Sequence, residues 1–469
     1  MKKVILAFLF LFALSPLHGR EPEGLSFAPL RFSPPKIERR VLQSGATVYL
    51  LPDTELPLIQ MTILIKTGSM YDSVDRVGVA SLCSTLLRVG GTKNRSAEEI
   101  DEALERIGAS IEFGIETEQA SASLSILKKD LDLGIQLLSE MLKTPRFDKR
   151  KIQIEKAKVM GAIYRRNDQP FPIAQREMRK LIYGPSHPLS RTMEIPMIQK
   201  ISRKDLVAFH KKYYRPNNLR IAVSGDFKTE EILTKLEGIL NGWENSPIQY
   251  PEVSTVNPEE NKTRTVCLAE KSLTQATILL SQLGIKRHNP DRFALEVLNE
   301  ILGGSAFTSR LYKEVRSRRG LAYWIGSAFS EPWDFGTIGI GCQTKNASVG
   351  EVIETIQNMV EEFIQTPVPN EELEAAKEAM INSFVFRYSS SHAIVTQKMS
   401  LDYFGYPEDY LETYTDKISN ITSKDLREAA KKYLRPKQMK IMIVGNPKEF
   451  DVSLERWGEV NKIDLKIDE

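Results

Sequence analysis

Apolar residues recur along most of this chain with the spacings of strands and helices, which predicts a packed structure of mixed class. The pattern predicts strands at 46–51, 58–66 and 119–127. It predicts helices at 78–89, 96–107, 131–142, 148–166 and 173–181, and Ser96 with Glu99 forms a capping box at the start of the second. Because strands and helices do not alternate strictly, the pattern favours an α+β fold with helices packed on a sheet.

The second half of the chain repeats the first. Residues Ile201–Phe227 align without a gap with Ile421–Pro447, and eleven of these twenty-seven positions are identical. Each copy has a Ser or Thr N-cap, a helix ended by Arg-Pro, and an apolar strand that ends at Gly225 or Gly445. A repeat this long indicates two duplicated domains, each a mixed β-sheet packed against helices.

A stretch rich in proline and polar residues marks the boundary between the two domains. A Pro/Asn/Glu-rich stretch at 243–262 predicts a linker between domains at 42–242 and 263–447. The sequence further predicts an irregular lead-in at 20–41 and a loose tail at 448–469. No apolar stretch is long enough for a stable membrane span, which needs about twenty residues.

The first nineteen residues resemble a secretory signal peptide. Lys2 and Lys3 precede the apolar run Val4–Leu14, and a plausible cleavage zone ends at Gly19. An uncleaved anchor is the alternative interpretation. Export would place the mature chain in the periplasm.

Charge and cysteine content exclude several classes of protein. With 64 Lys and Arg against 61 Asp and Glu, the chain has no basic field for nucleic acid. Three cysteines exclude a disulfide scaffold and a cysteine-rich zinc module. Cys267 and Cys342 lie in strand-like segments and would pair if those strands were neighbours. Alternatively, both of them and Cys83 are small buried apolar side chains.

Several segments in order resemble the pitrilysin/insulinase family of zinc peptidases, in the branch that contains the mitochondrial processing peptidases. They are GSMYD, GVASLCSTLLRVGGT, RFDKRKIQIEKAKVMGAIYRRNDQP, YGPSHPLSR and, in the second half, ILGGSAFTSRLYKEVRSRRGLAYWIGSAF. The resemblance covers about residues 42–447. It implies that the two domains form half of a clam-shell around a peptide.

The resemblance also implies where zinc would bind. The family holds zinc with a His-x-x-Glu-His helix and a second Glu about seventy-five residues later. In this sequence the two histidine positions carry Ser81 and Thr85, the base position carries Ser84, and the distal position carries Ala162. A family acid seven residues earlier remains as Glu155. Hydroxyls are poor zinc ligands and a methyl group is none, so the sequence predicts no metal in this chain.

No other catalytic site emerges from the sequence. The sequence has five histidines, His18, His187, His210, His288 and His392. His18 would be removed with the signal peptide, and no two of the others lie at the spacing of metal ligands on one helix or strand. We interpret them as structural or surface residues. Cys83 lacks a nearby base, no Gly-x-Ser-x-Gly elbow is present, and Gly303-Gly304 lacks the Lys that completes a phosphate-binding loop.

One functional element of the family does remain. The resemblance implies that an Arg and a Tyr seven residues apart bind the peptide and polarise the scissile carbonyl, and Arg316 and Tyr323 match this spacing. Alternatively, RSRRGLAY is a basic helix end capped by Gly320, with Arg318 and Arg319 as solvated neighbours.

Three functional hypotheses follow. In the first, the chain is an exported non-catalytic subunit that binds peptide and complements a zinc-bearing homologous subunit, with zinc expected only in that partner. In the second, it is a stand-alone peptide-binding or assembly protein without a proteolytic role. In the third, it is itself an active zinc endopeptidase, which the four replaced positions disfavour.

Overall fold

The computed structural model describes residues 33–467, and the predicted signal peptide lies outside them. The first half contains six strands, β1 (Glu38–Val41), β2 (Thr47–Pro52), β3 (Leu58–Ile65), β4 (Ser110–Ile115), β5 (Ala120–Leu127) and β6 (Leu219–Gly225). It contains eight α-helices, α1 (Val79–Val89), α2 (Ala97–Ile107), α3 (Leu131–Lys143), α4 (Lys149–Tyr164), α5 (Pro170–Tyr183), α6 (Ile195–Lys200), α7 (Arg203–Tyr213) and α8 (Thr229–Leu240).

The second half repeats most of this order with fewer α-helices. Its strands are β7 (Val266–Glu270), β8 (Gln275–Leu283), β9 (Ala322–Phe329), β10 (Thr337–Lys345), β11 (Lys440–Gly445) and β12 (Val460–Lys462). Its α-helices are α9 (Arg292–Asn299), α10 (Val349–Gln365), α11 (Asn370–Arg387), α12 (Ser391–Tyr403), α13 (Tyr410–Ser419) and α14 (Ser423–Tyr433). Two π-helical segments, Glu300–Gly304 and Tyr312–Arg318, lie between α9 and β9.

Each half forms one six-stranded mixed sheet packed against helices, which confirms the predicted α+β fold with two duplicated domains. The first sheet has the order β1-β2-β6-β3-β5-β4 and the second has the order β12-β7-β11-β8-β10-β9. In both sheets a parallel pair, β2 with β6 and β7 with β11, adjoins antiparallel strands. The repeated segments therefore form equivalent elements, α7 with β6 and α14 with β11.

Local signals in the sequence account for the ends of several helices. Ser96 and Glu99 form the predicted capping box, and Gly108 ends α2 in the left-handed conformation with φ of 61°. The arginine of each Arg-Pro pair folds back on its helix. Arg215 Nε donates to the carbonyl of Lys211 at 2.9 Å, and Arg435 Nη1 donates to that of Lys431 at 2.6 Å. These bonds satisfy carbonyl groups that a helix end leaves free.

The two halves exchange equivalent helices across their sheets. Helix α5 of the first half lies on the second sheet, where its Ile173 and Met178 pack with Leu279, Met442 and other apolar residues. Helix α12 of the second half lies on the first sheet, where its residues join Tyr49, Leu51 and Leu64. Each sheet thus has one face covered by its own helices and part of the other covered by a helix from the opposite half.

Both chain ends contribute more structure than the sequence predicted. The lead-in assigned to 20–41 extends too far, because residues 38–41 form β1 antiparallel to β2. Residues 448–467 of the tail assigned to 448–469 are not loose, since β12 pairs in parallel with β7 and the side chains of Leu454 and Trp457 are buried. Strands β1 and β12 are short, polar edge strands, and their sequences lack the apolar alternation that would predict a strand. The sequence analysis also did not predict strand β4, which lies between Gly108 and β5.

The three cysteines are free and buried. Strands β7 and β10, which carry Cys267 and Cys342, are separated by β11 and β8, so the two thiols do not pair. Burial raises the pKa of Cys267 to about 11 and that of Cys342 to about 12. Among residues 33–467, no helix combines the length and the apolar character that crossing a bilayer requires.

Candidate functional site

Helix α1, which carries the two histidine positions and the base position of the zinc motif, is fixed at its start by a buried carboxylate. Gly78, with φ of 115°, precedes the helix. The carboxylate of Asp72 accepts the backbone N–H groups of Gly78 at 2.8 Å and Ala80 at 2.9 Å, and so satisfies donors that the helix leaves free. Burial raises the pKa of Asp72 to about 6. The sequence showed the glycine but gave no sign that the acid six residues earlier would cap the helix.

The three ligand positions and the base position of the zinc motif carry no metal-binding groups. Helices α1 and α4 pack against each other. Ser84 is 2% exposed, Ser81 and Thr85 are half-buried, and Ala162 is exposed on α4. The Ser84 hydroxyl is buried without a hydrogen-bond partner among the described residues. Three hydroxyls and a methyl group do not fit zinc, which binds thiolate, imidazole and carboxylate groups.

No neighbouring acid or histidine replaces the missing ligands. Glu155 lies two helical turns before Ala162 and forms an ion pair with Lys158 at 2.7 Å. Within residues 33–467, no three His, Cys, Asp or Glu side chains are grouped so that they would hold a metal ion. Burial raises the pKa of the Cys83 thiol well above its usual value, and its Sγ faces the carbonyl of Leu206 at 3.9 Å. Such a buried thiol is not an activated nucleophile.

Two histidines hold the halves together. His187 Nε2 lies 3.2 Å from Asp334 Oδ2, and its ring stacks between Tyr183 and Trp333. His392 on α12 contacts the hydroxyl of Thr62 and that of Ser224 on the first sheet, each at 3.0 Å. Burial lowers the pKa of both histidines.

The other two described histidines also have structural surroundings. His210 Nε2 lies 2.7 Å from the carbonyl of Leu142, and burial lowers its pKa to about 4. His288, with φ of 68°, lies edge-on to the ring of Tyr406. His18 lies outside the described residues.

Arg316 and Tyr323 are brought together at the surface of the second half. The π-helical segment that contains Arg316 leads through Gly320, with φ of 63°, into β9. The Arg316 guanidinium carbon lies 5.5 Å from the ring centre of Tyr323 and 4.9 Å from that of Tyr312. The Tyr323 side chain is 75% exposed. The seven-residue spacing therefore places an arginine beside a phenol that faces solvent.

Ion pairing distinguishes Arg316 from Arg318 and Arg319. Arg318 and Arg319 both pair with Glu314, and Arg319 also lies 3.2 Å from Glu351. They are therefore neutralised by carboxylates rather than simply solvated. In the part of the chain that the structure describes, Arg316 has no ion pair and no hydrogen bond. Its guanidinium retains donors for an external oxygen atom.

Exposed aromatic side chains extend the surface on both sides of this pair. Phe307 lies edge-on to Tyr312 at 5.4 Å between ring centres, and Phe171 lies edge-on to Trp324 at 5.5 Å. The sequence reasoning missed this aromatic surface. The available signal was the adjacent pair of large aromatic residues, Tyr323 and Trp324, in the segment that follows Gly320.

Comparison with known proteins identifies the family. The description "Insulinase (Peptidase family M16)" matches residues 50–193, and "Peptidase M16 inactive domain" matches residues 200–380. The chain belongs to the M16 peptidase family. The first match contains α1 and the second contains Arg316 and Tyr323, so both candidate regions lie within M16 sequence.

Two bacterial relatives match most of the chain. A Helicobacter pylori protein named "Non-peptidase homolog YmxG" is 25% identical over 402 residues, which are 84% of this chain and 90% of that protein. A Bacillus subtilis protein named "Uncharacterized zinc protease YmxG" is 26% identical over 364 residues, 76% of this chain and 86% of its own.

Solved structures agree on the fold. The "peptidase M16 inactive domain" from Pseudomonas fluorescens superposes with a TM-score of 0.80 at 25% identity, covering 88% of this chain and 98% of its own. A protease from H. pylori superposes with a TM-score of 0.79 at 19% identity, covering 88% of this chain and 100% of its own. This chain is thus an M16 homologue with the family fold and without ligand residues at the zinc positions.

Proposed function

We propose that this chain is an exported, non-catalytic M16 subunit that binds peptide and completes the active site of a zinc-bearing homologous subunit. One observation carries the proposal: the half-buried Arg316 and the exposed Tyr323 form a pair without a carboxylate partner within residues 33–467, in a chain whose own zinc-ligand positions carry no ligands. The signal-like residues 1–19 support export to the periplasm.

The pair suits the stabilisation of developing negative charge. When water attacks a peptide carbonyl, the carbonyl oxygen becomes an oxyanion, and preorganised donors stabilise it. The guanidinium of Arg316 supplies charged N–H donors and the hydroxyl of Tyr323 supplies one O–H donor. Stacking between the rings of Tyr312 and Tyr323 holds the Arg316 guanidinium without neutralising it. Zinc in the partner subunit would activate the attacking water.

Reconstitution with a zinc-bearing homologue tests the proposal. Tyr323→Phe deletes only an exposed hydroxyl, so folding and assembly are expected to survive. Turnover of a peptide is expected to fall about 100- to 1,000-fold with little change in KM, as for removal of an oxyanion donor. Arg316→Ala is expected to act in the same direction and needs a stability control, because it also loses its contacts with two rings.

Arg318→Ala provides a matched control. Arg318 lies two residues from Arg316 but is exposed and paired with Glu314, so its removal is expected to change turnover by no more than about twofold. If Tyr323→Phe and Arg316→Ala both retain full turnover in an assembled complex, the proposal is wrong. The hypothesis of a stand-alone peptide-binding or assembly protein would then replace it.

A further inference from the structure

A cavity of about 400 Å³ lies beside β9, the strand that carries Tyr323 and Trp324. Helix α5 and the Gly303–Ala306 turn border it, and β8, β10 and β9 form its base. Its apolar walls come from Phe171, Met178, Ile182, Leu279 and Trp324. This volume lies within the range of small-ligand sites, roughly 300–1,000 Å³.

Glycines keep the cavity open. Gly339 and Gly341 alternate along β10 on the face that carries Leu279, so this part of the base has no side chains. The Trp324 ring rests directly on Gly341, where a Cβ atom would lie 2.8 Å from Cη2 and 2.9 Å from Cζ3 of the indole. Any side chain at position 341 would therefore push the ring from its place.

One unpaired cation lies at this cavity. On α5, Arg176 and Lys180 both pair with Glu177, at 2.7 Å and 3.3 Å. Arg179 lines the cavity and is exposed, and it has no ion pair or hydrogen bond within residues 33–467. It is the one charged residue among those that line the cavity. A ligand that complements this site combines an apolar group with a carboxylate.

We propose that this cavity binds a bulky apolar side chain of an extended peptide and that Arg179 pairs with a carboxylate on the adjacent peptide residue. Tyr323 and Trp324 are consecutive on β9 at a β-bulge, where Gln343 pairs with Trp324 and Thr344 pairs with Ala322, and both side chains are exposed. A peptide that runs past this bulge would meet both the Arg316–Tyr323 pair and the cavity that Trp324 borders. The inference rests on the proposed function only in taking a peptide as the ligand.

Binding to the isolated full chain tests the inference without any turnover. The probe is a capped, fluorescently labelled Gly/Ser nonapeptide with one central Phe-Asp pair, measured by fluorescence polarisation. Replacing Phe by Ala in the probe is expected to weaken binding about 10- to 100-fold, because a buried aromatic group is lost. Replacing Asp by Asn in the probe is expected to weaken its binding to the parent chain but not its binding to the Arg179→Gln variant.

Variants of the cavity locate the binding. Gly341→Ala is expected to displace the indole into the cavity and to weaken binding of the Phe-Asp probe at least about 10-fold. Gly114→Ala on β4 is the matched control, because a Cβ there meets only the Ser121 hydroxyl, and its affinity is expected to equal the parent's. If circular dichroism shows that Gly341→Ala does not fold, binding of the Phe-Asp probe is measured with Trp324→Leu, which removes one wall of the cavity.

The inference is overturned if the Phe-Asp and Ala-Asp probes bind equally, or if the folded cavity variant binds the Phe-Asp probe as the parent does. Absence of any binding overturns it as well. Failure of the proposed function has a different signature. Tyr323→Phe should leave the preference for Phe intact whatever it does to turnover with the zinc-bearing subunit.

Discussion

Truncation of a buried residue on the exchanged helix α5 is expected to destabilise the opposite half of the molecule. Ile173 is fully buried against the second sheet, although it precedes that sheet by about a hundred residues. Ile173→Ala removes a buried branched side chain and leaves a cavity, which costs about 2–5 kcal/mol. With a middle value of about 3 kcal/mol, local opening of the α5 contact becomes about 100-fold more frequent.

Hydrogen exchange read by mass spectrometry locates this loss. Backbone amides of α5 and of β8 and β11, the strands it covers, are expected to exchange about 100-fold faster in Ile173→Ala. Ile135→Ala is the matched control. Ile135 lies on α3 in the same half, is 3% exposed and packs in the core of the first sheet, so its truncation should speed exchange in β5 instead.

The result that refutes this reasoning is a loss of protection confined to the first sheet in Ile173→Ala. Identical exchange maps for the two variants would refute it too, because they would show that the halves open only as one unit. Circular dichroism at the temperature of the exchange experiment confirms that both variants remain folded before the maps are compared.

Three further predictions concern single groups. The buried thiols are expected to react with a thiol reagent only after denaturant is added, and rapid labelling of the native chain would contradict their burial. After exposure to zinc and dialysis, the chain is expected to retain no stoichiometric metal by atomic spectroscopy; one tightly held zinc per chain would contradict the ligand argument. Burial lowers the pKa of His392 below its usual value, so the unfolded chain takes up the proton first as the pH falls. The free energy of unfolding is therefore expected to decrease below about pH 6.5, and less steeply in His392→Gln; equal slopes in denaturant titrations would contradict this.

Local chemistry made much of the fold predictable. Ser96 and Glu99 are close in sequence, and their capping box depends on nothing else, so the start of α2 followed from four residues. The Arg-Pro pairs ended α7 and α14 for a similar reason, since proline cannot continue a helix. The Arg316–Tyr323 pair was predictable because the helix turn and the strand that position it are consecutive in sequence.

Features that depend on distant partners were not predictable in this way. The apolar face of α5 shows that the helix is buried, but periodicity does not say which sheet covers it. Strands β1 and β12 have polar sequences, and only pairing with a neighbouring strand makes them part of a sheet. The cap from Asp72 depends on a loop that folds back across six residues. The cavity beside Trp324 required the register of β10, which places glycines beneath the indole.

The exchange of α5 and α12 also governs what happens while the chain is being synthesised. When residue 242 has left the ribosome, every strand of the first sheet exists, but the helix that covers Tyr49, Leu51 and Leu64 does not. Helix α12 begins at Ser391, about 150 residues later, which is roughly 8–30 s of translation. During that interval an apolar sheet face is bare and open to wrong partners. The nascent first half is therefore a natural client for a chaperone until the second half arrives.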